Sequence, residues 1–441
     1  MQDQIDFSVI SRYPTVAIFT NFMDFNPGYS LSGIVYEQAL MLLKKDHKVF
    51  LFVNEQFNPK FNTDSGLTSL IEQYPNHFKI LQKTKFMHLT DYKSLTEYME
   101  SNHPEQAEEA AKIFLYEIQE NKIDIVFTHD FVFTGWNIPY AEAVKKTSEA
   151  LKDYPIKWFH WVHSVPSGRR DWWNLSLYGK NHYIVYPNSI DSIRVAESFQ
   201  CRQNKVKVIP HLKDIRVWFD FSPETWEITE RYPNLMQADI IQVYPASSDR
   251  MNAKQVHSLL AIFAHMKEAR VPIFFFVANQ WATGLQRRED VNKYISLGEK
   301  LGLVYEEDFV FSSTIDEKYQ TGISKRMIRE LQLLSNIFIF PTLEESFGLV
   351  GPEASYSGAH AFINRSLPMQ YEVMGSQVPA YDFGSFTQKV DAMSDPAYLR
   401  SIAFSVLNFC FSNPILINKM YTRKRYNMDH LYYKYYSPNF F

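Results

Sequence analysis

The chain has 441 residues, 46% of them hydrophobic and 16% aromatic, with a formal net charge of -4. That length exceeds a single hydrophobic core and favours two domains, the apolar share excludes a disordered chain, and the near-neutral charge excludes a globally basic partner of nucleic acid or anionic membrane. Two cysteines, Cys201 and Cys410, supply neither a disulfide framework nor a thiolate metal site. The polar N-terminus does not read as a signal peptide, and the longest apolar stretch, Val271 to Ala278, is too short to span a bilayer. A reducing, cytoplasmic setting is the expectation.

Thr15 to Thr20 is a short apolar run of the kind found in parallel sheets. A loop from Asn26 to Gly33 follows, and Ile34, Val35, Ala39, Leu42 and Leu43 then keep helical spacing as far as Lys45. Lys48 to Val53 reads as the next strand, so the opening is a βαβ unit. Ser32 and Gly33 stand at the helix start, either as an ordinary cap or as donors for a phosphate or an acceptor. Residues 54–110 read as polar and irregular, with helical pieces near Leu67–Gln73 and Tyr92–Met99. Ile113 to Glu120 is an amphipathic helix.

Two further strands, Ile123 to Thr128 and Lys157 to Val162, end in His129 and His163. Ligands of open α/β sheets sit outside the carboxyl ends of strands, so both histidines are site candidates as well as structural ones, His163 the stronger. Arg169, Arg170, Trp172 and Trp173 follow in one loop, suited to a sugar, a phosphate or a stacked base, or else a solvated loop with packed tryptophans. Strands at Tyr183–Tyr186 and Lys205–Ile209, with a helix from Ser192, complete a first domain at 1–215.

Residues 216–239 carry Pro223 and Pro233 with weak periodicity and read as an interdomain linker. Ile240 to Tyr244 opens a second domain at 240–415. Arg250 and Lys254 follow, four apart and on one face if helical. A guanidinium fork and an ammonium would hold a diphosphate. Cations at a helix start oppose its dipole, so a ligand anion is one explanation of the pair and solvation the other. Strands at Ile273–Ala278 and Phe309–Phe311 alternate with helices near Asp290–Leu301 and Lys325–Ser335. The Tyr-rich, basic end, 416–441, reads as a helix or tail packing back on the first domain. The alternation predicts an α/β chain of two doubly wound, Rossmann-like domains.

The densest signal runs from Asn336 to Gly358. Ile337 to Phe340 is a strand that Pro341 ends, Gly348 permits a tight turn, and Gly351-Pro352-Glu353 reads as a helix start with Gly358 as its left-handed cap. The free N–H groups of a helix start suit a phosphate, and Glu345 and Glu353 flank it. Glu353 either complements the helix dipole or accepts from ribose hydroxyls. Glu345 is either solvated or accepts from sugar hydroxyls.

Phe340-Pro-Thr-Leu-Glu-Glu345-Ser-Phe347-Gly348-Leu-Val-Gly-Pro-Glu353-Ala354 resembles the signature of the retaining GT-B glycosyltransferases, the family 4-like or group 1 glycosyl transferases. The glutamate pair, the Phe-Gly turn and the Glu-Ala phrase all match. Glu372-Val373 followed by Gly375 also resembles the family, whereas Ser32-Gly33, the spacing of Arg250 from Lys254 and Pro210-His211 depart from it.

The resemblance implies the GT-B architecture, two domains facing a central cleft. It also implies a metal-independent hexosyl or pentosyl transfer from a nucleotide-diphosphate sugar, a UDP-sugar foremost, as co-substrate rather than cofactor. Glu345, His163, Arg250 and Lys254 would serve the reacting centre. Glu353, Ser346, Phe347, Gly348, Leu349 and Val350 would bind the donor. Ser32, Gly33, His129, Arg169 and Arg170 would lie on the acceptor side. A cell-surface or lipid-linked glycan is the implied acceptor. The alternatives are a phage-type enzyme glycosylating hydroxymethylated bases in DNA, and a non-catalytic GT-B-like nucleotide-sugar-binding protein.

Overall fold

A computed structural model describes residues 13–25, 30–58, 66–85, 95–101, 103–129, 131–132, 138–163, 174–388, 390 and 392–441. The chain forms two compact units, Met1–Lys213 with Met428–Phe441, and Asp214–Asn427.

Among its described residues the first unit holds seven strands: β1 (Val16–Phe19), β2 (Val49–Asn54), β3 (Phe78–Thr84), β4 (Ile125–His129), β5 (Lys157–Trp161), β6 (His182–Tyr186) and β7 (Val206–Val208). They form one parallel sheet in the order β3-β2-β1-β4-β5-β6-β7. The order reverses between β1 and β4, the doubly wound arrangement in which a crevice opens at the carboxyl ends of the two diverging strands. Strands β1, β2 and β4 are buried throughout because side chains on both faces are covered. Ala17, Phe19, Phe52, Val126 and Trp158 meet Phe114 and Tyr140 of the helices His103–Glu120 and Ile138–Ala150 on one side.

β3 corrects the expectation of an irregular 54–110. Its sequence, Phe-Lys-Ile-Leu-Gln-Lys-Thr, lies at the sheet edge with only Phe78, Leu81 and Thr84 buried, so it lacks the apolar run that marks its neighbours. The helix His103–Glu120 likewise begins a decade earlier than expected, because its first turns are Glu- and Ala-rich rather than apolar.

The second unit carries β8 (Ile240–Ser247), β9 (Ile273–Gln280) and β10 (Phe309–Phe311) in one parallel ladder, and β11 (Ile337–Phe340), β12 (His360–Asn364) and β13 (Ala380–Tyr381) in another. Side chains join the two ladders along the seam between β8 and β11. The Gln242 amide donates to the Ile339 carbonyl at 2.9 Å and accepts from the Ile339 N–H at 3.0 Å. Asn336 accepts from the Ile241 N–H at 2.8 Å, and Ser335 accepts from the Val243 N–H at 3.1 Å. Backbone groups that a continuous ladder would pair are thereby satisfied by three buried polar side chains. The combined order, β10-β9-β8-β11-β12-β13, again reverses at its centre. Along β9, Phe275 and Val277 enter one apolar layer and Phe274, Phe276 and Ala278 the other.

Residues 216–239, expected as a linker, are built into the second unit as the short helices Ile215–Trp218, Pro223–Arg231 and Asn234–Gln237. Buried charge orders them: Arg216 donates twice to Asp214, at 2.9 and 2.7 Å, and its guanidinium lies 4.1 Å from the Trp226 ring. Glu330 of the helix Lys325–Leu334 accepts from the Ser222 N–H at 3.1 Å and from the Ser222 hydroxyl at 2.7 Å. The tail divides as well. The helix Pro414–Arg425 stays with the second unit, where Arg423 donates to the Leu235 and Ala238 carbonyls. Met428–Phe441 joins the first, where Lys45 pairs with Asp429 at 2.6 Å and Phe440 packs on Phe127 and Phe159.

Candidate active site

At the carboxyl end of the second unit's seam, the loops after β8 and β11 meet. The chain after β8 makes one helical turn, Lys254 donating its N–H to the Arg250 carbonyl at 2.8 Å, before Gln255 at φ 55° breaks it and the helix Val256–Glu268 begins. The buried Tyr244 hydroxyl holds the Lys254 carbonyl at 3.0 Å, and Leu343 donates to the Ala253 carbonyl at 2.8 Å. These bonds stitch one loop to the other.

Their charged side chains face each other in two pairs. Lys254 donates to Glu345, with only 11% and 14% of the two side chains exposed. Arg250 donates to Glu344 at 2.7 Å, with both side chains about half exposed. The anion that the sequence assigns to a ligand or to solvent is therefore supplied by adjacent glutamates. Glu344 carries no expectation from its sequence; it is found only because it faces Arg250.

The expected turn is present. Gly348 sits at φ 75°, and a Cβ there would come 2.9 Å from the Phe340 ring. Gly358 closes the next helix at φ 81°. That helix, Val350–Tyr356, is only seven residues long, so its dipole is short. Ser346, Phe347 and Leu349 are exposed on the turn, while Val350 is partly buried. Glu353 lies 3.9 Å from the exposed Lys325. The two glutamates expected to flank one ligand thus face different lysines.

In the first unit His129, at the end of β4, and His163, just beyond β5, stack at 5.2 Å with a 3.0 Å contact between His129 Nδ1 and His163 Nε2. His211 stacks on His163 at 5.0 Å, so Pro210-His211, which departs from the family phrase, still joins the cluster. Burial pushes His163 down to about 3, with the His211 charge a lesser cause, and burial also holds His129 well below the usual imidazole range. Both rings are neutral near pH 7. Ser32 is buried on the helix Ser30–Lys44 and its hydroxyl has no hydrogen-bond partner among the described residues. A Cβ on Gly33 would meet nothing within 4 Å. Arg169 and Arg170 lie outside the described residues, as do Trp172 and Trp173.

A second histidine pair is structural. Ser148 donates to the Tyr178 carbonyl at 2.8 Å and so accepts from His182 Nε2 at 2.7 Å; His182 Nδ1 then accepts from His160 Nε2 at 2.9 Å, and Thr128 donates to His160 Nδ1 at 2.9 Å. Both ring nitrogens of His160 and of His182 are used.

Among the described residues no group of three or more His, Cys, Asp or Glu is placed to hold a metal ion, and no single helix is long and apolar enough to cross a membrane. No known family profile and no curated protein matches the chain. Solved structures do. A glycosyltransferase from Rickettsia africae ESF-5 is 14% identical, with 98% of each chain covered and a TM-score of 0.37. The Anabaena protein HepE in complex with UDP is 14% identical, over 95% of this chain and 97% of that one, at 0.30. Sucrose-phosphate synthase from Thermosynechococcus elongatus is 13% identical, over 95% and 96%, at 0.33. These likenesses are distant, and none bears on which residues act.

Proposed function

We propose that the chain is a retaining glycosyltransferase that moves a sugar from a nucleotide-diphosphate sugar, a UDP-sugar foremost, to an acceptor hydroxyl. The observation that carries the reading is the meeting of Arg250 and Lys254 with Glu344 and Glu345 at the switch point of a doubly wound sheet. Two cations on one side of a loop crossing and two carboxylates on the other suit a ligand with a diphosphate at one end and hydroxyls at the other. The signature phrase around Glu345 and Glu353 supports it.

On this reading the diphosphate takes over the charge of Lys254 and Arg250. Glu345, released from Lys254, accepts from hydroxyls of the transferred sugar, and Glu353 accepts from the ribose. The turn from Ser346 to Val350 holds the phosphates through its N–H groups. The bond from the anomeric carbon to the phosphate oxygen breaks, the acceptor oxygen attacks from the same face, and its proton passes to the leaving phosphate. Lys254 and Arg250 stabilise the departing UDP, where the largest charge develops. Ser32, Gly33, His129 and His163 are the first unit's candidates for the acceptor, with a cell-surface or lipid-linked glycan as the acceptor class.

The test is release of UDP from a panel of UDP-sugars with candidate acceptors. Turnover that survives Glu345→Ala or Arg250→Ala unchanged overturns the assignment. Binding of UDP-sugars with neither hydrolysis nor transfer indicates a binding protein instead, and transfer to hydroxymethylated DNA would fix the acceptor as DNA.

A further inference from the structure

Left-handed backbone costs energy in any residue with a Cβ, and most in bulky ones. Among the described residues eight non-glycine positions adopt it. Five of them, Asp46, Lys122, Gln200, Asp220 and Arg270, stand two positions past the last residue of a helix, where a left-handed residue closes the final turn. Trp281 differs from these. It has φ 60°, it follows strand β9 instead of a helix, and it is the only aromatic residue of the eight. No contact among the described residues offsets the cost. Trp281 is 57% exposed, its ring stacks on no other ring, and its indole N–H makes no hydrogen bond there.

The conformation is imposed from both sides. Ser248 donates its N–H and its hydroxyl to the Gln280 carbonyl, at 2.9 and 2.7 Å, and the buried Ala282 donates to the Gln320 carbonyl at 2.8 Å. The indole is thereby held out at the carboxyl end of β9, beside the loop that carries Arg250. Gln280 pairs in register with Ser247, whose carbonyl accepts the Arg250 N–H at 2.9 Å. Arg287, in the first turn of the helix Leu285–Lys300, acts with Arg250 on the Asp249 carboxylate, which the Ser247 hydroxyl first of all holds below its usual range.

The order of the strands then gives the order of the groups. β9, β8 and β11 lie side by side, so Trp281, the cations Arg250 and Lys254, and the carboxylates Glu344 and Glu345 follow one another along one edge. An aromatic face, two cations and two hydroxyl acceptors in that sequence match a base, a diphosphate and a sugar. Strain held at an exposed position with no structural return is expected where a ligand uses it.

We propose that Trp281 is the platform on which the nucleobase of the donor stacks, with the diphosphate reaching from it to Arg250 and Lys254. The inference rests on the glycosyl-transfer reading for its ligand and adds the base end, which that reading leaves without a residue. Every base has a π-face, so stacking here raises affinity without choosing among bases.

The test is calorimetric titration of the full chain with UDP, the other nucleoside diphosphates and inorganic pyrophosphate, beside tryptophan fluorescence. Trp281→Ala is expected to weaken nucleoside diphosphate binding about 5- to 150-fold and to leave pyrophosphate binding as it is. Trp281→Phe is expected to keep most of the affinity and to lose the fluorescence change that the nucleotide causes in the unsubstituted chain. Trp281→Asn separates binding from folding, because asparagine tolerates the left-handed region. It is expected to raise the melting temperature by about 2–4 °C while binding weakens as in Trp281→Ala. A melting temperature lowered by Trp281→Asn means that the indole serves the fold, and overturns the proposal. Nucleotide affinity indifferent to Trp281→Ala, or a loss that pyrophosphate shares, overturns it as well. Should UDP-sugars bind and react equally well in these variants, the stacking assignment alone fails. Should no nucleoside diphosphate bind the unsubstituted chain, the glycosyl-transfer reading fails and the assignment falls with it.

Discussion

Gln242→Leu tests whether the seam of the second unit holds its two charged loops together. The substitution keeps the volume of a side chain that is fully buried but leaves the N–H and the carbonyl of Ile339 without partners. Each orphaned buried group costs about 1–3 kcal/mol, so the pair costs about 2–6 kcal/mol. In a unit of this size 1 kcal/mol moves the melting temperature by about 2–4 °C, which puts the expected drop at roughly 4–24 °C. Ile241→Val, one residue away on the opposite face, is the control: it removes a methyl for about 0.5–1.5 kcal/mol and leaves the seam intact. Scanning calorimetry of the full chain reads the stability, and UDP titration reads the site. The expected outcome is a large drop with weakened UDP binding for Gln242→Leu and a small drop with normal binding for Ile241→Val. Equal shifts for the two, with unchanged UDP affinity, would refute the idea that side-chain amides substitute for the ladder and align the loops.

The two cation pairs differ in burial, so their removal should differ in effect. Lys254→Met removes a shielded charge-assisted contact and is expected to weaken UDP binding about 10- to 100-fold by calorimetric titration. Arg250→Ala, whose pair is solvated, should weaken it less while lowering turnover. Gly348→Ala forces a Cβ against Phe340 at a φ of 75° and should cost about 1–3 kcal/mol in urea unfolding, with UDP affinity reduced because the turn moves. Acid should destabilise the fold in a defined window. His160 and His163 are held near pKa 3 by burial, whereas the unfolded chain takes up protons from about pH 6.5 downward, so the unfolded state binds more protons in between. Stability is then full above about pH 6.5 and falls by roughly 3 kcal/mol per histidine at pH 4.5; Thr128→Val with His160→Leu should flatten part of that slope. Glu330 adds to the loss lower down. Burial alone would raise it, but hydrogen bonds from Thr225, Ser222 and Arg326 bring it below the usual carboxylate range.

What could be read from the sequence was local. The run Ile337 to Phe340, the turn at Gly348 and the cap at Gly358 each follow from residue types within a few positions, and the structure places all three. The strand-end positions of His129 and His163 were legible for the same reason. The partners of those groups were not. Gln38, which hydrogen-bonds both, lies 91 positions from His129 and 398 from Tyr436, and no local pattern links them. The seam was hidden because Gln242 interrupts an apolar strand and reads as a defect until its partner at Ile339 is known. β3 was missed because an edge strand needs few apolar residues, and the ordered stretch 216–239 because a buried ion pair and a buried carboxylate that accepts from Ser222, not periodicity, hold it. Glu344 was overlooked beside Glu345 because only the fold shows which of two adjacent carboxylates meets Arg250 and which meets Lys254.

The most direct test of the donor site is calorimetric titration of the full chain with UDP, alongside Lys254→Met and Glu345→Ala. One UDP is expected to bind per chain, with binding lost or strongly weakened in Lys254→Met, and with UDP affinity retained in Glu345→Ala while turnover of the UDP-sugar disappears. No binding of UDP or of any other nucleoside diphosphate, or binding indifferent to Lys254→Met, would contradict it and remove the donor site from the switch point of the second unit.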